Sequence, residues 1–233
     1  MLASQPNKTP PRPTQFIQPS LTDNPGDRYN MLRLLVINAH HAYPFSPGKL
    51  NQSLASRAIE YAQSLGHEVK TTETGTLEWD VDEEIAKHQW ADIVLVQSPV
   101  NWMGHPWSFK KYQDEVYTAG MDGRLCTGDG RHSDAPKEHY GEGGSLEGTK
   151  YALSLTFNAP SESFGNVDEY LFGSKTVDDL FFPTHCNFRF FGMSPLPTFA
   201  AYDVMKNPEI DAILADFDTY LVSLFAPNAP TQP

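Results

Sequence analysis

The chain has 233 residues, of which 39% are hydrophobic, and its net charge is −12 at pH 7. This length suits one large domain or two small ones. The acidic balance argues against a nucleic-acid partner, and no apolar run is long enough to predict membrane insertion. Cys126 and Cys186 lie far apart and match neither a zinc motif nor a redox pair. Free thiols are typical of a reducing compartment, so we expect a cytoplasmic protein.

Both ends of the chain differ in composition from the middle. Residues 1–30 are polar and rich in proline, which predicts a flexible N-terminal arm without a secretory signal. Residues 226–233 predict a short frayed tail. We therefore expect one folded domain over residues 31–225.

Strands and helices alternate in chain order from residue 31. We predict strands over 31–38, 67–72, 92–97, 150–156 and 195–201, and helices over 50–65, 82–89, 106–118, 177–191 (broken near Pro183) and 210–225. The run Ile93-Val94-Leu95-Val96 has no polar alternation, which is typical of a strand covered on both faces. The pattern predicts an α/β, flavodoxin-like three-layer sandwich with a five-stranded parallel sheet in the order 2-1-3-4-5.

Open parallel sheets bind ligands beyond the carboxyl ends of their strands, where the strand order reverses. The loop after the first strand contains Ser46 and Lys49 before a predicted helix, so its backbone N–H groups are suited to a phosphate. It has neither a dinucleotide-binding glycine motif nor a P-loop. The alternative is that Ser46 only caps the helix. We expect no metal at His40 and His41, because no carboxylate or cysteine partner accompanies them.

The loop after the third strand, residues 97–107, carries Trp102, Met103 and Trp107. Large flat or polarizable side chains at this place indicate a planar ligand, although both tryptophans could instead anchor the following helix in the core. The loop after the fourth strand, residues 156–160, offers a hydroxyl, an aromatic ring and an amide that suit the polar edge of a heterocycle. A plain exit from the strand is the alternative.

A long glycine-rich loop over residues 121–148 separates the third helix from the fourth strand. Long loops in compact domains are commonly functional. Its basic residues Arg124, Arg131 and Lys137 are candidates for binding an anionic nucleotide, and the alternative is a solvated loop with incidental charges.

Several runs together resemble one family. PVNWMGHPW at 99–107, KYALSLTFNAP at 150–160, SPGKLN at 46–51 and PLPTF at 195–199 resemble the modulator of drug activity B family of NADPH:quinone oxidoreductases. The resemblance covers residues 31–225. It implies FAD as cofactor, NADPH and quinones as substrates, a homodimer, and ping-pong two-electron transfer of hydride through flavin N5.

The resemblance also implies which residues hold the cofactor. The pyrophosphate and ribityl chain would contact Ser46, Gly48, Lys49, Leu50, Asn51 and Ser53. The isoalloxazine ring would contact Pro99, Val100, Asn101 and Trp102 on one side and Thr156, Phe157, Asn158 and Ala159 on the other. Tyr140 would contact the cofactor across a dimer. N–H groups around Phe157 and Asn158 would stabilise charge on the flavin, and no side chain is expected to act as acid or base.

One position departs from the family, and other functions remain open. Bacterial members usually carry glycine where this chain has Val100, which narrows the space above the ring. A flavodoxin-like electron carrier, an FMN-dependent azo or nitro reductase and a flavin-free structural protein are the alternatives. The aromatic loop argues against a carrier, because a carrier has no need of a substrate pocket.

Overall fold

A computed structural model describes residues 31–226. The N-terminal arm predicted over residues 1–30 lies outside the described residues, as do residues 227–233 of the predicted tail.

A six-stranded, fully parallel sheet forms the centre of the domain. Its strands are β1 (Arg33–Asn38), β2 (Glu68–Glu73), β3 (Ile93–Pro99), β4 (Lys150–Thr156), β5 (Ser194–Pro195) and β6 (Phe199–Ala201). The order is β2-β1-β3-β4-β5, and β6 pairs with β4 further along. The predicted α/β class and the order 2-1-3-4-5 are confirmed.

The fifth predicted strand is instead two short strands. β5 and β6 both pair with β4, at its first and last residues respectively. Pro195 and Pro197 lie in this stretch, and proline cannot donate a hydrogen bond to a strand ladder. The sheet is therefore continuous along β4 but interrupted at its edge.

Helices cover both faces of the sheet. They are α1 (Lys49–Ser64), α2 (Val81–Trp90), α3 (Trp107–Tyr112), α4 (Val177–Leu180), α5 (Phe182–Phe190) and α6 (Ile210–Leu224). Short 3₁₀ turns occur at Thr74–Thr76, Gly120–Asp122 and Ser161–Ser163. α1 packs against α6 and the first three strands. No helix within residues 31–226 has both the length and the apolar character needed to cross a membrane.

Side-chain alternation along each strand divides the core between the two faces. Leu35 and Ile37 of β1 pack with Ile85 of α2 and Phe109 of α3. The opposite face, under α1, is lined by Leu34 and other fully buried side chains. Six of the seven residues of β3 are buried, as its continuous apolar run predicts.

One helix prediction was wrong in detail and another was confirmed. The helix predicted over 106–118 ends as an α-helix at Tyr112 and continues as a π-helix, Gln113–Tyr117. The helix predicted over 177–191 is interrupted at Phe181, so the predicted break near Pro183 is confirmed. Pro183 lies in the first turn of α5, where its missing N–H costs nothing, and so it starts a helix rather than ending one.

Candidate active site

The carboxyl ends of β1, β3 and β4 lie side by side, and the loops that follow them leave the same edge of the sheet. A cavity of about 510 Å³ opens between the first two of these loops. Its lining residues are Tyr43, Phe45, Val100, Asn101, Trp102, His105, Trp107 and Met205. Three of the four ring contacts predicted in the loop after β3, Val100, Asn101 and Trp102, are therefore brought together at one cavity, while Pro99 is not among its lining residues.

The loop after β3 turns sharply at Trp102. Asn101 and Gly104 exchange two backbone hydrogen bonds of 2.8 and 3.1 Å, which closes a four-residue turn. The two central residues, Trp102 and Met103, have φ angles of 49° and 66°. This left-handed conformation costs a residue other than glycine roughly 1–2 kcal/mol. Trp102 is also 97% exposed, so a strained turn holds a large apolar ring in solvent, which is typical of a binding site.

The loop after β1 presents aromatic rings to the same cavity. Tyr43 and Ser46 close a similar turn with hydrogen bonds of 3.1 and 3.0 Å. The ring of Tyr43 stacks on that of Phe45 with centroids 5.5 Å apart, and Phe45 is exposed. His41 connects the two loops, because its ring lies 4.9 Å from that of Trp107. The cavity thus lies between two aromatic turns.

The start of α1 has the features of an anion cradle. Gly48 precedes the helix with a φ of 77°, and no side chain caps the helix, so Ser46 is not its cap. The N–H groups of the first turn are therefore free to bind a ligand. Lys49 is exposed and has no ion-pair partner within residues 31–226. A Cβ on Gly48 would lie 2.2 Å from the ring of His40, so only glycine fits here.

Two other residues predicted in this segment contact the protein itself. The Asn51 side chain is 98% buried, donates to Asn38 and accepts from Gln97 at 2.9 Å. Asn38 in turn donates to Glu73 at 2.7 Å, and burial raises the pKa of that carboxyl. Asn51 therefore joins α1 to the sheet. The Ser53 hydroxyl donates to the carbonyl of Lys49 at 2.9 Å, while Leu50 is half-buried.

The loop after β4 is bound to the segment after β6. Phe157 is 97% buried, and its N–H donates to Ala201 at 2.7 Å. Of the N–H groups around Phe157 and Asn158 that were expected to stabilise charge on the ligand, that of Phe157 is therefore already used within the protein. Ala159 accepts from the N–H of Asp203 at 3.1 Å, and the Thr156 carbonyl accepts from the N–H of Val100 at 2.9 Å. None of residues 156–159 lines the 510 Å³ cavity.

Of the three basic residues of the long loop, Arg124 and Arg131 already have ion-pair partners, whereas Lys137 has none among the described residues. Arg124 pairs with Asp82 and Asp122, and Arg131 pairs with Asp129. These carboxylates raise the pKa values of both guanidinium groups. Tyr140 is 71% exposed; its ring lies 5.9 Å from that of Phe190 and outside the residues that line the cavity.

Several lining residues were not predicted as site residues. Tyr43 and Phe45 lie in the predicted loop, and their spacing Tyr-x-Phe on either side of Pro44 was a usable signal of an aromatic turn. Met205 is brought to the cavity by the segment after β6, for which no local pattern exists. Trp107, for which a core-anchoring role was an alternative, is 50% exposed and lines the cavity.

The fold and this site define the class of the protein. The profile of the flavodoxin-like fold family matches residues 32–222. The chain is 43% identical over 196 residues to the NADPH:quinone oxidoreductase MdaB of Haemophilus influenzae, covering 83% of this chain and 100% of that protein. The chain therefore belongs to the flavodoxin-like fold family and, within it, to the family of the MdaB quinone oxidoreductases.

Solved structures support the fold. A protein of Klebsiella pneumoniae assigned as a quinone reductase aligns with a TM-score of 0.68 at 23% identity, over 87% of this chain and 86% of its own. The general stress protein 14 of Treponema denticola, solved in complex with FMN, aligns with a TM-score of 0.56 at 20% identity, over 83% and 99% of the two chains. At these identities the likeness concerns the fold alone.

Proposed function

We propose that this protein is an FAD-dependent NADPH:quinone oxidoreductase that works by ping-pong hydride transfer. The family membership supports the reaction class. The observation that carries the proposal is the 510 Å³ cavity between two aromatic turns, which lies at the same sheet edge as the uncapped start of α1. A planar ring and an attached phosphate suit this pair of features.

The residues present fit a flavin. The N–H groups after Gly48, with Ser46, Lys49 and Leu50, would hold the phosphates, and Asn51 would support this helix start from beneath. Val100, Asn101 and Trp102 would lie against the isoalloxazine ring, with the backbone turned by Pro99. The backbone N–H groups of Asn158 and Ala159 have no partner in the described part of the chain, so they would be the donors of this loop that remain for the edge of the ring.

The chemistry that bound FAD would supply is hydride transfer between NADPH and a quinone, and the proton that completes the hydroquinone would come from solvent. The protein's own residues orient the reactants. Trp102 and Phe45 offer ring faces that cover a planar molecule, and their burial on binding would exclude water from the cavity.

The one imidazole in the cavity lining is poorly suited to exchange protons at neutral pH. His105 is the one ionisable imidazole among the cavity's lining residues, and burial together with nearby His185 lowers its pKa to about 3. The ring is therefore neutral under physiological conditions. This supports a reaction in which the residues orient rather than act as acids or bases.

Homodimerisation, a cytoplasmic location and a cofactor contact by Tyr140 are part of the same proposal. The exposed ring of Tyr140 is accessible to a second chain. Sedimentation equilibrium tests the proposed homodimer. If the dimer persists after FAD has been removed, its assembly does not depend on cofactor binding.

An FMN-dependent reductase is the second candidate. The FMN complex of the Treponema denticola protein favours it, because the two chains share the fold. Chromatography of the flavin released by denaturing the purified protein separates the candidates: we expect FAD at one per chain. FMN in its place would replace the first candidate by the second, and a colourless protein that cannot be reconstituted would exclude both.

A further inference from the structure

The loop that carries Trp102 is closed at its base by one side chain. Ser98 ends the buried part of β3 and His105 precedes α3, so these residues stand on either side of residues 99–104. The Nδ1 atom of His105 lies 2.8 Å from the Ser98 hydroxyl. This hydrogen bond joins the two ends of the loop.

The same ring joins the loop to a distant helix. Its Nε2 atom lies 3.0 Å from the hydroxyl of Thr184 in α5, a residue 79 positions away that is 94% buried. The ring also makes edge contacts with Phe109 and Phe181, at centroid distances of 4.7 and 4.9 Å. Both ring nitrogens of His105 therefore form hydrogen bonds, and two aromatic rings hold the imidazole in place.

The direction of each hydrogen bond follows from the chain of partners. The Ser98 hydroxyl donates to the carbonyl of Pro99 at 3.0 Å, so its oxygen accepts from Nδ1–H of His105. In a neutral ring Nε2 then carries no proton and accepts from the Thr184 hydroxyl. The hydrogen bonds thus run in one direction: Thr184 of α5 donates to His105, His105 donates to Ser98, and Ser98 donates to the backbone carbonyl of Pro99.

We propose that His105 is a positioning residue that holds the Trp102 turn against the cavity through Ser98 and Thr184. The proposal rests on the proposed function for its effect on catalysis, but not for the geometry itself. His105 also lines both the 510 Å³ cavity and a second one of about 270 Å³ that is bordered by Met103 and Thr184. Loss of the imidazole would free the strained turn.

The test compares three variants in the flavin-free protein. Thr184→Val removes only the distant hydrogen bond, Thr184→Ser keeps it, and His105→Ala removes both. The protein is labelled with fluorotryptophan, and the ¹⁹F resonance of Trp102 is assigned with Trp102→Phe. We expect Thr184→Val and His105→Ala to shift or broaden the Trp102 resonance, while Thr184→Ser and the resonances of Trp79 and Trp90 stay as in the wild type.

Catalysis provides the second readout. We expect Thr184→Val to raise the KM for a quinone about five- to tenfold, as loss of one hydrogen bond predicts, with a smaller change in kcat and rescue by Thr184→Ser. An unchanged Trp102 resonance in both Thr184→Val and His105→Ala would overturn the positioning role. If the Trp102 resonance shifts in these variants but the wild-type protein reduces no quinone, the proposed function would be contradicted and the positioning role would stand.

Discussion

The imidazole of His40 lies where the Cβ of any other residue at position 48 would have to be. Its ring atoms come within 2.2 Å of the place a Cβ would take on Gly48. The end of β1 and the start of α1 are thereby packed together, with the backbone N–H groups of α1 left open.

Gly48→Ala tests whether this contact shapes the phosphate site. We expect flavin affinity to fall about tenfold or more, because the new methyl group must displace His40 or the helix start. Gly66→Ala is the matched control: Gly66 has a similar φ of 80°, but a Cβ there meets nothing within 4 Å. Fluorescence titration of the apoproteins with FAD measures both. Equal losses in the two variants would assign the effect to backbone strain alone.

Trp102→Ala tests the exposed ring on the strained turn. Because Trp102 is 97% exposed, its removal leaves the core intact, and we expect the unfolding temperature to change little. We expect kcat/KM for quinones to fall about tenfold or more, since the ring face that covers the reactants is lost. Tyr170→Ala removes a fully exposed ring that is not part of the cavity lining and serves as control. Wild-type kinetics in Trp102→Ala would remove this residue from the site.

Val100→Gly tests the size of the cavity. Val100 lines the cavity and packs partly against the core, so its methyl groups limit the space for a bulky substrate. We expect the glycine variant to lower the KM for a large substituted quinone several-fold and to leave a small benzoquinone nearly unchanged. Val100→Ala should give an intermediate value. Parallel changes for both quinones would show that backbone flexibility, and not space, is responsible.

Asp92→Asn tests a pH-dependent contribution to stability. Asp92 accepts from Arg33 through its backbone N–H at 2.8 Å and its guanidinium at 2.7 Å, and the guanidinium hydrogen bond is the main cause of the lowered pKa of this carboxyl. The stabilisation is present above the unfolded pKa of about 3.9 and is lost as the pH falls through the lower folded value.

We therefore expect Asp92→Asn to lower the unfolding temperature by a few degrees at pH 7 and to approach the wild type in strong acid. Thermal unfolding across this pH range measures the difference. Asp134→Asn, at an exposed carboxyl without an ion pair in the described part of the chain, should show no such trend. If the difference in unfolding temperature between Asp92→Asn and the wild type were the same at every pH, the pH-dependent contribution assigned to the Asp92 carboxylate would be contradicted.

The first four strands could be predicted because each carries its own signal, whereas β5 and β6 were predicted as one strand. The apolar run of β3 and the alternation of strands with helices are local patterns, and the order of the strands is the one typical of a flavodoxin-like sandwich. The site could be predicted only in part. Trp102 lies directly after a strand and was expected at the cavity, whereas Met205 reaches it through β6, and the His105–Thr184 contact spans 79 residues. Such contacts depend on tertiary packing and leave no pattern in the local sequence.

We propose that NADPH and a quinone react in turn at one flavin in this cavity. An anaerobic titration of the FAD-loaded protein, first with NADPH and then with menadione, tests this order of events. We expect one equivalent of NADPH to bleach the flavin absorbance without any quinone present, and one equivalent of menadione to restore it fully. Bleaching that requires both substrates at once, or reduced protein that menadione fails to reoxidise, would contradict it.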